Sequence, residues 1–386
     1  MLVQSPVAGD SRVLREAAAL ADVGHEVRVV GRDVPAVFTA PPGVRVDSVG
    51  PGTGLRSGAG PLGARRPLPR RLALARWLFL PEHRSRVESA WERAAHAVVD
   101  QDRPEVVHAH DFNTLALGAE IAGRTGARLV YDTHELWFGR PRLNRPTPLR
   151  TWRGRRLERR LGGRADAVLT VGEGVAEALR HAYGWTHVHV VRNTFDLLPT
   201  DTQPPLPRRP RGLLYAGRVA PYRELETLLA AAPGLDPLRV TVAGPADDSF
   251  VARTEWTGIE LLPNLSVGEV DARLRAAGLA LVSHSDRWAN HRLALPNKLF
   301  HAVRVGVPVV ATDVHELRRV VTTSRLGVLY RPGDAADLVR AVREIYDRYD
   351  EFRAAVAAAA DELSWPRDAA RLRQVYTDLA LPDRLA

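Results

Sequence analysis

The residues able to do chemistry in this chain sit at the ends of short apolar runs. His110 closes Val-Val-His-Ala-His, with His108 two residues before it and Asp111 directly after. His134 and Glu135 close Val-Tyr-Asp-Thr-His-Glu in the same manner. An imidazole at the carboxyl end of a strand is placed to touch a ligand, because ligands of open α/β sheets lodge there. Arg218 and Arg223 bracket the start of a helix, and two cations beside a helix start suit a diphosphate. Each reading has a plainer rival: a surface histidine, Glu135 capping the next helix, a solvated helix start.

Of the 54 Lys and Arg residues only Lys298 is a lysine, the rest following the arginine habit of a high-GC genome. It stands in Ala-Leu-Pro-Asn-Lys-Leu-Phe, where Asn297 and Pro296 lead into a helix before the strand Val-Pro-Val-Val-Ala-Thr. A compact ammonium at a helix start, with the backbone amides of Lys298, Leu299 and Phe300, forms a cradle for an anion. Gly9, Asp10 and Ser11 make a second loop before a helix, where a ligand can approach backbone amides. That loop carries no dinucleotide glycine fingerprint, and no phosphate-binding P-loop occurs anywhere in the chain, which counts against a dehydrogenase or an ATPase.

The elements that must hold these residues alternate between short β-branched runs and helical periodicity. Strands are expected at Leu2–Ser5, Glu26–Val30, Val106–His110, Arg128–Asp132, Ala167–Val171 and Val188–Arg192, the first reading as the tail of a strand. A second series runs through Leu213–Ala216, Val240–Ala243, Ile259–Leu262, Ala280–Ser283, Val307–Ala311 and Gly327–Tyr330. Helices close the chain around Asp334–Ala359 and Pro366–Leu379. Alternation of this kind predicts α/β architecture with parallel sheets. The Pro- and Thr-rich stretch Asn193–Arg211 reads as a linker, so two doubly wound domains are expected, with the ligand in the cleft between them. The division is 1–197, 198–365, and a terminal helix within 366–386 that returns to the first domain.

At 386 residues, 45% apolar and 26% charged, the chain can bury two ordinary cores. It has no cysteine, which excludes disulfides, thiol nucleophiles and cysteine zinc sites and fits a reducing cytosol. No apolar run is long enough to span a membrane, and no signal peptide is evident. The net charge of +9 is local. Ten arginines and one acid, Glu158, lie between Arg140 and Arg164, so the remainder of the chain is balanced. A local patch reads as a docking surface for an anionic acceptor or membrane face rather than for nucleic acid, for which no recognition motif is present. Arg65–Arg86, with Trp77 and Phe79 among leucines, is a second basic stretch; a solvated helical face is the alternative for both.

Several stretches together resemble the retaining, nucleotide-sugar-dependent glycosyltransferases of family 4, which have the GT-B architecture of two Rossmann-like domains facing across a cleft. They are Asp-Ser-Arg-Val-Leu-Arg-Glu-Ala, Val-Val-His-Ala-His-Asp-Phe, Val-Tyr-Asp-Thr-His-Glu-Leu, Val-Arg-Asn, Leu-Tyr-Ala-Gly-Arg and Leu-Pro-Asn-Lys-Leu-Phe, in the family's order. The resemblance implies transfer of a hexose from a nucleoside diphosphate sugar to a hydroxyl of a glycan, lipid or small molecule, with no resident cofactor or metal. It places His110 against the donor sugar, and Arg218, Arg223, Asn297 and Lys298 at the diphosphate. Leu299, Phe300 and His301 fall at the ribose and sugar; Gly9, Asp10, His134 and Glu135 lie on the acceptor side. One departure stands out. The family's two glutamates, with seven residues between them, fall here on Leu293 and His301, so either a histidine or Asn290, His291 or Arg292 helps hold the donor, or donor binding is degraded. A partner protein that has lost turnover, or a nucleotide-sugar epimerase, would be the alternatives.

Overall fold

The computed structural model describes residues 1–35, 37–49, 90–140, 148–199 and 205–380. The basic stretch Arg65–Arg86 lies outside them. Two parallel sheets organise the chain. The first holds β1 (Leu2–Pro6), β2 (Val27–Arg32), β3 (Val44–Ser48), β4 (Val106–His110), β5 (Arg128–Thr133), β6 (Ala167–Thr170) and β7 (Val188–Val190). Their spatial order is β3-β2-β1-β4-β5-β6-β7. The second holds β8 (Gly212–Ala216), β9 (Arg239–Ala243), β10 (Ile259–Leu262), β11 (Ala280–Val282), β12 (Val309–Thr312) and β13 (Gly327–Tyr330), in the order β10-β9-β8-β11-β12-β13. Each sheet therefore reverses its winding once, between β1 and β4 and between β8 and β11. Crevices form at such switch points, and the chemistry-bearing loops follow these four strands.

Strand β3 is the element that the sequence reading lacked. Among the described residues it is an edge strand, paired with β2 from Val27↔Val44 to Gly31↔Ser48, and its short Val-Arg-Val alternation carries little periodic signal. The closing helical stretch splits into Ala335–Asp347 and Tyr349–Ala359.

Apolar side chains cover both faces of each sheet, as parallel strands require. On one face of the first sheet, Val3, Val13, Ala17 and Val29 pack with Trp365, Leu372 and Tyr376. Val13 and Ala17 belong to α1 (Ser11–Ala21), capped by the Asp10 carboxylate, which accepts from the Val13 amide at 3.3 Å. The last helix, Trp365–Ala380, thus lies against the first domain. Asp368 anchors it there, accepting from Thr194 Oγ1 at 2.8 Å and from Arg192 Nε at 3.1 Å.

Several bonds join the two halves across the cleft. Glu316, fully buried, accepts from the Gly174 amide at 3.1 Å. Asn193 donates to Asn297 at 2.9 Å, and Asn290 accepts from the Leu136 amide at 2.8 Å. A Cβ on Gly174 would fall 2.8 Å from the Glu316 carboxylate, so glycine is what permits this approach.

Candidate functional site

A cleft of about 400 Å³ opens between the domains, bounded by Gly9, Asp10, Arg12, His134, Asn193 and Asn297. Its first-domain wall rests on a buried charged cluster. Asp132, the penultimate residue of β5, is inaccessible and takes both arms of the Arg12 guanidinium, at 2.8 and 2.9 Å. Arg12 also pairs with Glu16 one turn on, at 2.9 Å, and donates to the Val191 carbonyl at 2.7 Å. The same Asp132 oxygen lies 3.2 Å from His110 Nδ1 and 3.1 Å from His134 Nε2. Asp111 approaches His134 Nδ1 at 3.6 Å. Its backbone is left-handed at φ 66°, a conformation that costs a non-glycine residue about 1–3 kcal/mol and persists where surrounding structure imposes it.

This arrangement corrects the expectation for His110. Its ring is wholly buried, stacked on His108 at 4.2 Å, and does not open onto the cleft. His134 is the imidazole that lines it. Burial lowers the proton affinity of His134, but Asp132 and Asp111 outweigh burial and raise its pKa to about 9. Burial lowers that of His110 and, further, that of His108. His134 is therefore a standing hydrogen-bond donor, backed by two neutral rings. Folding stability should record it. A histidine whose pKa rises on folding contributes stability that is complete below its unfolded value near 6.5 and lost as pH rises through about 9. The expected fall over that window is up to about 3 kcal/mol. Glu16, its carboxyl raised chiefly by burial, acts in the same direction. Urea titrations at pH 6.5 and 9 should show a shallower fall in His134→Gln; an identical fall in both proteins would dismiss the assignment.

Glu16, His108, His110 and Asp132 bring ligand-type atoms within 4.8 Å of one another. The Arg12 guanidinium already serves as the cation of this group, so a divalent ion would have to displace it.

Glu135 neither caps a helix nor stands free on the acceptor side. It accepts from Asn290 Nδ2 at 2.7 Å and pairs with Arg140 at 2.6 Å, fastening the two domains. Gly9 borders the cleft, and a Cβ there would meet nothing within 4 Å, so its hydrogen leaves that space to a ligand. Asp10 borders it too while accepting from Ser5 Oγ at 2.7 Å.

The second-domain wall is built by the loops after β8 and β11. Lys298 Nζ donates to the Ser283 carbonyl at 2.8 Å and lies 4.2 Å from the Tyr215 ring centroid. Ser283 donates its hydroxyl to the Arg223 carbonyl at 2.7 Å, so one residue ties both loops together. Tyr222 and Glu224, on either side of Arg223, are both left-handed, at φ 66° and 60°. That strained turn presents Arg223 directly before Glu224, the N-cap of the helix Leu225–Ala231, so the helix start expected there is present. Burial and the charge of Arg223 lower the Lys298 pKa well below its ordinary value. Arg218 is exposed, and its charge acts on Asp247.

The α2 helix (Asn297–Arg304) corrects two further expectations. Leu299 and Phe300 are core residues, 0% and 1% exposed, and the Leu299 amide already donates to the Pro296 carbonyl at 3.0 Å. Their side chains do not reach the cleft. Asn297 does, through its bond to Asn193. His301 lies under this wall, its Nδ1 3.0 Å from Asp271 and its ring 4.3 Å from Phe195.

Sequence reasoning missed Arg12, Glu16 and Asp132, and offered Asn290 only as a donor contact rather than as the inter-domain bond it makes. The Arg12–Glu16 spacing of four on the otherwise apolar face of α1 was the available signal. In the basic stretch, α3 (Pro148–Gly162) turns Leu149 and Trp152 outward, each 57% exposed, with Arg156 5.8 Å from the Trp152 ring. Among the described residues no helix is long and apolar enough to cross a membrane.

Comparison with known proteins agrees with this architecture. Residues 9–194 match the glycosyl transferase 4-like domain and residues 210–348 match the glycosyl transferases group 1. A D-inositol 3-phosphate glycosyltransferase of Pseudarthrobacter chlorophenolicus is 28% identical over 97% of this chain and 92% of its own. A glycogen synthase of Mycobacterium tuberculosis is 24% identical over 71% of this chain and 69% of its own. In fold, a sucrose-phosphate synthase of Thermosynechococcus elongatus superposes with a TM-score of 0.72 at 16% identity, covering 98% of both chains. Anabaena HepE, solved with UDP-glucose, gives 0.66 at 15% identity over 98% of both chains. With two facing Rossmann-like domains and both halves matched in order, the chain belongs to the group 1, family 4 glycosyltransferases of GT-B fold.

Proposed function

We propose that this protein moves a hexose from a nucleoside diphosphate sugar to an acceptor hydroxyl with retention of configuration. The observation that carries this reading is the pairing of Arg223 with Lys298 at the β8/β11 switch point, where two cations share one wall without a carboxylate between them. Such a pair neutralises a departing diphosphate without a metal ion. A fold relative solved with UDP-glucose and sequence relatives named for glycosyl transfer support the donor class. His301, steadied by Asp271, aligns with the family's ribose-gripping glutamate and is the residue this reading assigns to the ribose. His134, protonated and facing the cleft, donates to the sugar or its phosphate and is unsuited to act as a base. The bond from the sugar's anomeric carbon to the diphosphate breaks as the acceptor oxygen bonds to the same face. The acceptor proton leaves with the diphosphate.

On the acceptor side, α3 offers arginines beside an exposed tryptophan, a surface suited to an anionic acceptor or a peripheral anionic bilayer. The test is a thermal-shift screen of nucleoside diphosphate sugars followed by a release assay. A true donor at about 100 times its Kd adds about 2.7 kcal/mol of stability. No shift and no sugar release with any UDP or GDP sugar would end this reading. Sedimentation with phosphatidylglycerol vesicles tests the bilayer arm, and protein left in the supernatant removes it.

A further inference from the structure

The donor wall holds two more ionisable groups that the reading above does not use. His284 follows β11, and His291 lies on the short helix Ala289–Leu293. Both are 6% exposed, with ring centroids 5.3 Å apart at 65°. Trp288 packs against His291, 5.1 Å between ring centroids, and Tyr222 stacks edge-on to Trp288 at 4.8 Å. The Nδ1 atoms of both imidazoles are buried without a hydrogen-bond partner. Two adjacent unpartnered ring nitrogens are unusual in a folded interior, where buried polar groups are normally satisfied. Beside them stand Arg223 and Lys298, so four groups able to carry positive charge converge on one spot.

We propose that a nucleoside diphosphate sugar binds here together with a proton, His291 becoming an imidazolium that serves as a third cationic ligand beside Arg223 and Lys298. This rests on the donor reading given above and adds a residue and a proton to it. The proton comes from solvent, and no bond other than N–H forms.

The surroundings explain why the proton arrives with the ligand. Burial, then Arg223 and Lys298, hold His291 at about 4. Burial, Lys298, His291 and Arg223 keep His284 well below the usual histidine range. From β8, Tyr215 faces Lys298 and is itself raised to about 12 by burial, so it remains neutral. The acids of these loops are directed elsewhere. Glu224 accepts from the Gly333 amide at 2.9 Å and from Thr227 at 3.1 Å, and Asp286 acts on Glu224. Arg292 donates to the Asp286 carbonyl at 2.7 Å. Among the described residues no acid acts on either imidazole, and a diphosphate supplies the missing negative charge. An opposite charge within hydrogen-bonding range raises a histidine by about 1–3 units, which carries His291 towards neutrality. This histidine would supply in part what the family's first glutamate no longer can.

The experiment is calorimetric titration of the full chain with UDP-glucose, or GDP-glucose if only the guanine nucleotide binds, in buffers of different ionisation enthalpy. The phosphates of these sugars carry no group that titrates near neutrality, so any exchanged proton belongs to the protein. At pH 6.5 the wild type should take up a measurable fraction of a proton. Its Kd should weaken towards higher pH, by at most about tenfold per unit for one proton. His291→Gln should bind more weakly at pH 6.5, take up less, and show a flatter Kd. Binding with no proton exchange in the wild type overturns the proposal and leaves the donor reading intact. Undiminished uptake in His291→Gln also overturns it, assigning the proton to Lys298 or His284. If neither sugar binds at any pH, the donor reading fails and this fails with it. The wild-type buffer series stands alone should the variant not fold.

Discussion

Lys298→Ala is expected to weaken binding of a nucleoside diphosphate by about 10–100-fold, the equivalent of one charge-assisted hydrogen bond. The resting ammonium is poorly served: it has the Ser283 carbonyl at 2.8 Å and the Tyr215 ring at 4.2 Å, and Arg223 repels it. Its stabilising partner in this reading is the ligand. The variant should therefore fold as well as the parent while losing affinity. Lys298→Arg should not restore it, because a planar guanidinium cannot occupy the compact position between Ser283 and Tyr215. Arg153→Ala, in the basic stretch on α3, should change nucleotide affinity by less than about twofold, since exposed charges contribute little. Titration calorimetry with UDP and GDP decides the matter. An Lys298→Ala affinity within threefold of the parent would remove Lys298 from the donor site.

Asp132→Asn should be among the most destabilising single substitutions in the first domain, at about 3–5 kcal/mol, because it leaves buried cations unpaired. Asp132 is inaccessible and answers Arg12 twice, His110 and His134. The asparagine keeps the shape and one acceptor but removes the carboxylate, which Arg12 and His134 hold well below the usual range against burial and which in turn keeps His134 protonated. Urea unfolding measures the loss, and Arg12→Met in the same background should recover part of it, the sign of direct coupling. A loss under about 1 kcal/mol, or strict additivity of the two changes, would show that the cluster is not the support inferred here. The same substitution should flatten the alkaline fall in stability assigned to His134.

Much of the architecture is legible in the chain because parallel strands buried on both faces are written as apolar runs. Val106–His110 and Ile259–Leu262 match the observed strands residue for residue. Edge strand β3 was missed because one solvated face halves that signal. The loops proposed here for the donor were legible through Lys298, whose type stands apart from 53 arginines. The buried cluster was not. An arginine and a glutamate four apart on a helix look the same in sequence whether they face water or an inaccessible aspartate 120 residues away.

His110 and His134 show the division most clearly. Both end parallel strands, and sequence alone placed both at the cleft. The fold buries one and exposes the other, because His110 falls beneath Asp132 at the β4/β5 step while His134 lies beyond the strand end. Sequence by itself determined two doubly wound domains, the four loops that face one another, and Lys298 as a singular cation. Tertiary structure alone decided which imidazole lines the cleft, that Glu135 and Asn290 fasten the domains, and that Arg223, Lys298, His284 and His291 crowd one wall. The reason is physical. Periodicity reports which face of an element is buried, whereas charge state and contact depend on what other elements bring within a few ångströms.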